Sequence, residues 1–287
     1  MAEKSYRFDQ AVTMTDIDFD AGSARCALDD GWNFNGQFFN GGYLHSVTTN
    51  AARVLTGSRH PDPVAVNSTF VRGAESGTID LTVEILSEGG SVTNTTVVAS
   101  QHGKTIVASI ITLVDLSAAA APADSPVAPP KHPMLDVPGP LECHAFSQQR
   151  KAPLGDIIEM NFVPEFSSWA TGDFSVDPRI TFWVRFVDGR PLDTLSLGGL
   201  SDMGPPVAFA QGRFGWAPTL QLHTAAFAAP EGQWLLVDMQ GSPYDGKFIC
   251  EDVEMWDERG VLVGRARQEA IAPRPRDSTS GTAKSGH

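Results

Sequence analysis

Asp202 follows Leu197-Gly198-Gly199-Leu200-Ser201, and Asn40 precedes Gly41-Gly42, so each half of this 287-residue chain sets a polar residue beside a glycine pair. A carboxylate near a helix start can take a proton from water or hold water in line for attack. Gln268 interrupts an apolar alternation with a carboxamide that both donates and accepts, an unusual choice for a core position. Each residue also has a plain reading. Asp202 would serve as a helix N-cap, Gln268 as a surface strand residue, Asn40 as a turn residue and Thr219 as an ordinary β-former.

Other chemistries fail on spacing. There is no G-x-S-x-G, so a serine nucleophile has no elbow. The seven histidines form neither HExxH nor another paired spacing, which gives no reason to expect a catalytic metal. Asp16-Ile17-Asp18-Phe19-Asp20-Ala21-Gly22 looks like a calcium loop, but its glycine falls one place late and its twelfth position is Ala27. Its alternation fits a strand better. No phosphate-cradling loop with a following Lys-Ser/Thr is present.

The elements that must position these residues come as one pattern used twice. In the first half the turn Phe39-Asn40-Gly41-Gly42-Tyr43 enters a helix over 44–55, with Leu44, Val47, Ala51 and Leu55 at helical spacing, and strand-like runs follow over 64–116. Residues 78–86 alternate with a period of two, 92–100 and 105–114 do likewise, and Gln101-His102-Gly103-Lys104 is a hairpin turn between the last two. In the second half the turn at 197–202 enters a short helical stretch near 206–210, with strands over 234–239, 248–256 and 261–271 and a matching turn, Asp257-Glu258-Arg259-Gly260. Aligning the two hairpins places Thr112 opposite Gln268. A long antiparallel sheet wrapped around one helix, built twice, is an α+β arrangement.

Boundaries follow from composition. Residues 1–117 form the first unit, 118–150 an Ala/Pro-rich extended linker, 151–272 the second unit, and 273–287 a small, polar, disordered tail. Hydrophobic residues make up 41% of the chain, enough for a core, but no run of 18 apolar residues exists, so a membrane-spanning helix is not expected. The start lacks the apolar stretch of a signal peptide, and three scattered cysteines give no disulfide framework, which together point to a cytoplasmic setting. A net charge of −13 argues against nucleic acid and requires any polyanionic ligand to find a local arginine patch.

With a helix cradled by a curved antiparallel sheet occurring twice, the chain resembles the double-hotdog acyl-CoA thioesterases of the type II class over roughly residues 8–272. The most specific elements are Ser201-Asp202 before Pro206-Val207-Ala208, Pro218-Thr219-Leu220 before a strand ending at Phe227 with Pro230 beyond, and Ala266-Arg267-Gln268-Glu269 after Gly260-Val261-Leu262-Val263. The resemblance implies a catalytic set of Asp202, Gln268 and a threonine around an attacking water, no cofactor, and an acyl-CoA substrate drawn from lipid metabolism. Counting back from Phe227 puts Leu220 at the threonine position. Either a one-residue bulge restores Thr219 or the hydroxyl is absent. The first half carries Asn40-Gly41-Gly42 and Thr112 instead of that polar set, so it supplies scaffold and acyl pocket.

On this reading Asp202 activates the water, Gln268 orients it, and Thr219 adds a third hydrogen bond. Backbone N–H groups at the helix start, around Met203 and Gly204 and around Asn40 and Gly41, bind the developing oxyanion. Arg213, Arg265 and Arg267 are candidates for the coenzyme phosphates, and Trp216, Phe209, Phe38 and Phe39 for the acyl slot. The alternatives are a hotdog enoyl-CoA hydratase or dehydratase, for which His45 lacks a nearby acid, and a non-catalytic acyl-CoA-binding protein. Sheet edges leave homo-oligomer formation open.

Overall fold

The computed structural model describes residues 5–34, 38–117, 153–174, 178–242 and 247–273. The expected linker and all of the expected tail beyond Pro273 lie outside the described residues. Among the described residues the chain runs α1 (Arg7–Ala11), β1 (Thr15–Asp18), β2 (Ser23–Ala27), β3 (Asn33–Phe34), β4 (Phe38–Phe39), α2 (Gly41–Leu55), β5 (Asp62–Phe70), β6 (Thr78–Glu88), β7 (Thr93–Gln101) and β8 (Lys104–Val114). The second half follows with β9 (Ile158–Phe162), β10 (Arg179–Phe186), α3 (Thr194–Leu200), β11 (Thr219–Ala226), β12 (Leu235–Gly241), β13 (Phe248–Asp257) and β14 (Leu262–Ile271).

Period-two patterning decides which face of each strand is buried. On β6, Ile79, Leu81 and Val83 point inward while Thr78, Asp80, Thr82 and Glu84 face solvent. The turn between β7 and β8 places His102 and Gly103 at φ 52° and 71°, as a two-residue hairpin turn with right-handed strand twist requires. Twelve strands join in one sheet, in the order β1-β2-β6-β7-β8-β5-β11-β14-β13-β12-β10-β9. The halves mirror one another about the antiparallel β5–β11 pair, in which His223 faces Asn67.

This sheet wraps two helices that touch each other. α2 is buried from Gly42 to Thr49 without interruption, which its mixed polar and apolar residues tolerate because the hydroxyls bond internally. Ser46 Oγ donates to the Gly42 carbonyl at 2.9 Å and Thr49 Oγ1 to the His45 carbonyl at 2.7 Å. Both glycine pairs lie where the helices cross. A Cβ on Gly42 would stand 2.4 Å from the Gly199 carbonyl oxygen, closer than any side chain could be accommodated without moving backbone.

One sequence expectation is corrected. Leu197-Gly198-Gly199-Leu200 does not open a helix; it is the second half of α3, which begins three residues earlier. Asp193 is its N-cap, accepting the Ser196 N–H at 2.8 Å, while Ser196 Oγ accepts the Asp193 N–H at 3.0 Å. That capping box outweighs the poor helix propensity of two adjacent glycines. The stretch near 206–210 is a single 3-10 turn, Val207–Gln211.

Candidate active site

α2 starts at the end of β4, and Asn40 is its N-cap, with Oδ1 accepting the Tyr43 N–H at 2.8 Å. The other end of the same amide, Nδ2, donates to the main-chain oxygen of Asp202 at 2.8 Å. Asn40 thus clamps the loop after α3 onto the start of α2. The Gly42 N–H, which has no acceptor within its own helix, donates to Asp202 Oδ2 at 2.7 Å. Asp202 does cap a helix, but the helix belongs to the other half of the chain.

The second carboxylate oxygen, Oδ1, accepts from Gln268 Nε2 at 2.5 Å, and the same Nε2 donates to Thr219 Oγ1 at 2.6 Å. Gln268 is 8% exposed and points inward from β14, as its place among Ala266 and Ala270 requires. Thr219 reaches this point because β11 holds one extra residue there. Thr219 pairs with Ala270 and Gln221 with Glu269, so Leu220 is the bulged residue that turns the hydroxyl inward. Asp202, Gln268, Thr219 and the start of α2 are therefore brought together, from both halves.

Burial pushes the Asp202 carboxyl up to about 6, although the Gly42 N–H and Gln268 both pull the other way by stabilising the anion. A carboxylate poised there is basic enough to accept a proton near neutrality. The Gly41 N–H has no hydrogen-bond acceptor among the described residues and stands at the positive end of the 15-residue α2. A Cβ at Gly41 would lie 2.8 Å from Asp202 Oδ2 and 3.4 Å from Thr219 Oγ1, so only glycine leaves the space between them open.

The other expected residues sort differently. Met203 and Gly204 follow the end of α3 rather than a helix start, and the Met203 N–H turns back to the Leu200 carbonyl at 3.4 Å, so the expectation that they donate to an oxyanion is corrected. Arg265 and Arg267 point to the outer face, where they hold Glu254 and Asp252 at 2.6 and 2.7 Å; strand alternation puts them opposite Gln268, and they are withdrawn as phosphate ligands. Arg213 is half-buried beside the Pro273 carbonyl. Phe209 packs edge-on against Trp169 and Phe214, and Phe39 is buried against Tyr43. Phe38, two residues before Asn40, and Trp216, three before Thr219, stack 4.8 Å apart, both exposed. Thr112 bonds Asn94 at 2.9 Å, away from the site.

The equivalent place at the start of α3 is built differently. Its third N–H, from Ser196, is taken by the Asp193 capping box, and the Arg190 guanidinium spans Asp9 and Asp193 at 2.7 and 2.8 Å. Thr194 Oγ1 donates to Asp62 at 2.7 Å. His45 is enclosed between the Ser68 and Thr224 hydroxyls at 2.8 and 3.0 Å, with its proton affinity lowered to about 3 by burial and, secondarily, by His223. What sequence reasoning missed is the Gly42 N–H and the clamping role of Asn40. The repeated glycine pair was the available signal, since it marks where backbones approach.

Comparison with known proteins agrees with this architecture. A Mycobacterium tuberculosis protein of uncharacterised activity is 29% identical over 93% of this chain and 98% of its own length. A Thermobifida fusca structure provisionally described as a thioesterase II superposes with a TM-score of 0.78 at 26% identity, covering 95% of this chain and 99% of that one. A Mycobacterium marinum acyl-CoA thioesterase II shares the fold, with a TM-score of 0.67 at 18% identity over 96% of this chain and 99% of that one. The sequence profile of the acyl-CoA thioesterase N-terminal domain matches residues 28–114, and that of the acyl-CoA thioesterase C-terminal domain matches residues 122–272. With the second match alone spanning more than half of its length, this double-hotdog chain belongs to the acyl-CoA thioesterase family and is a thioester hydrolase.

Proposed function

We propose that the chain hydrolyses an acyl-CoA to the free carboxylic acid and CoA at the junction of α2 with Asp202, Gln268 and Thr219. The observation that carries this reading is the convergence of a carboxylate of raised proton affinity, a carboxamide and a hydroxyl on one open helix start. Asp202 takes a proton from water as the water oxygen bonds to the thioester carbonyl carbon. Gln268 and Thr219 hold that water and the carboxylate in line. Negative charge on the carbonyl oxygen falls beside the Gly41 N–H and the positive end of α2, where a preorganised donor is worth most. As the tetrahedral adduct collapses, the C–S bond breaks and the proton on Asp202 passes to the departing sulfur.

Lyase chemistry on the same fold would call on His45. Its burial between two hydroxyls, with no carboxylate partner among the described residues, keeps it neutral. The deciding experiment is release of free thiol from a panel of acyl-CoAs. Asp202→Asn should lower kcat by about 10²–10⁴ while the variant still folds. Full turnover in that variant overturns the site. Substrate binding without thiol release by the unmodified protein favours a binding function.

A further inference from the structure

One buried carboxyl beside the site has no part in the steps above. Glu251 on β13 is 0% exposed and lies directly opposite Gln268 in the β13–β14 ladder. Its Oε1 accepts the Val207 N–H at 2.7 Å, which fastens the loop that begins at Asp202. Its Oε2 is buried with no hydrogen-bond partner among the described residues. The inward neighbours on its strand are Ile249, Val253 and Met255, and its partner on β12 is Gly241. The flanking acids, Asp252 and Glu254, face outward and pair with Arg267 and Arg265, so no cation turns toward Glu251 from β14. Asp202 is the one charged group that acts on it appreciably.

An ionised carboxylate in that place would have one donor for two oxygens and a second anion nearby. Such a group is expensive to bury when charged and much less so as the neutral acid. Anchoring Val207 would need no ionisable residue, since a glutamine accepts the same N–H. We propose that Glu251 is a positioning residue of this site: as the neutral acid it holds the 202–207 loop, and with it Asp202, against Gln268, and it leaves Asp202 as the only negative charge in the enclosure. The inference rests on Asp202 being the base. Burial, followed by the field of Asp202, pushes the Glu251 carboxyl up to about 8 despite the Val207 N–H, so the neutral form prevails at pH 7. Above that point a second anion raises the proton affinity of Asp202 and opposes the oxyanion, and turnover falls.

The test is the pH dependence of kcat for thioester loss from an acyl-CoA, measured on the full chain and on Glu251→Gln, Glu251→Leu and Asp202→Asn. The unmodified enzyme should lose about tenfold in kcat as pH rises through about 8 and then level off. Glu251→Gln should retain kcat at pH 7 within about twofold and show no descending limb, because the amide mimics the neutral acid. Glu251→Leu, which removes the Val207 anchor, should lower kcat by about tenfold with little change in KM. An alkaline limb that survives in Glu251→Gln, an unmodified enzyme without such a limb, or a folded Glu251→Leu with full kcat each overturns the inference. If Glu251→Leu fails to fold, the Glu251→Gln profile decides alone. Full activity in Asp202→Asn removes the reading beneath it; an inactive Asp202→Asn with an unmoved limb in Glu251→Gln removes only the role of Glu251.

Discussion

At the scale of single residues, Asp202 is held in a state that favours chemistry over stability. Its folded proton affinity, at about 6, exceeds the ordinary carboxylate value of 3.8, so the native state binds the proton more tightly than the unfolded chain. The stabilising contribution is therefore complete below about pH 4 and is lost as pH rises through about 6. Asp202→Asn should match the unmodified protein in acid and exceed it above neutrality by on the order of 2–3 kcal/mol. Urea unfolding at pH 4 and at pH 8 checks this; an equal gain at both pH values contradicts it. Asp202 and Gln268 were legible through the resemblance, but not the partner of Asp202. That the carboxylate binds the Gly42 N–H depends on how two helices cross, which local sequence does not encode. The bulge at Leu220 was legible as one of two alternatives, because β11 phases cleanly from Leu222 onward and Thr219 does not fit that phase.

At the scale of elements, the crossing of α2 and α3 sets the geometry of the site. Gly42 meets the Gly199 carbonyl, and the Asp202 loop leaves α3 only three residues later. Gly42→Ala should destabilise the protein by about 2–4 kcal/mol, since rigid backbone stands where the methyl would go. It should also lower kcat by spreading the helices and lengthening the Gly42–Asp202 bond. Thermal melting and thiol release measured together check both, and a melting point equal to that of the unmodified protein would refute the packing account. Strands β6, β7, β8, β12, β13 and β14 and the α2 helix were readable from periodicity, whereas β2, β9 and β10 were not read. α3 was not, because its seven residues include two glycines that suggest a turn; Asp193 followed three residues later by Ser196 was the cap signal that marks its true start.

At the scale of the whole molecule, the junction between the halves is polar as well as apolar. His45 on α2 bonds Ser68 on β5 and Thr224 on β11, and Ser68 continues to Ser109 and Thr48. Enclosure lowers the folded proton affinity of His45 to about 3 from its ordinary 6.5. The unfolded chain therefore takes up a proton that the native one refuses, and this contribution is whole above pH 6.5 and is lost progressively as pH falls toward 3. The His45 contribution should decline by several kcal/mol over that window, while the raised Asp202 and Glu251 carboxyls contribute in the opposite direction. A urea-midpoint difference between the unmodified protein and His45→Gln that stays level between pH 7 and pH 4 would show that the junction opens to admit the proton.

The capped start of α3 carries a consequence of its own. Two identical subunits must repeat every substitution at both symmetry-related positions, whereas a fused pair can let its copies diverge. Here the α2 start presents the Gly41 N–H beside Asp202, while its counterpart carries a cap of Arg190, Asp193 and Ser196. On the proposed reading each polypeptide offers one reacting centre rather than two, and the capped counterpart braces the helix from which Asp202 emerges.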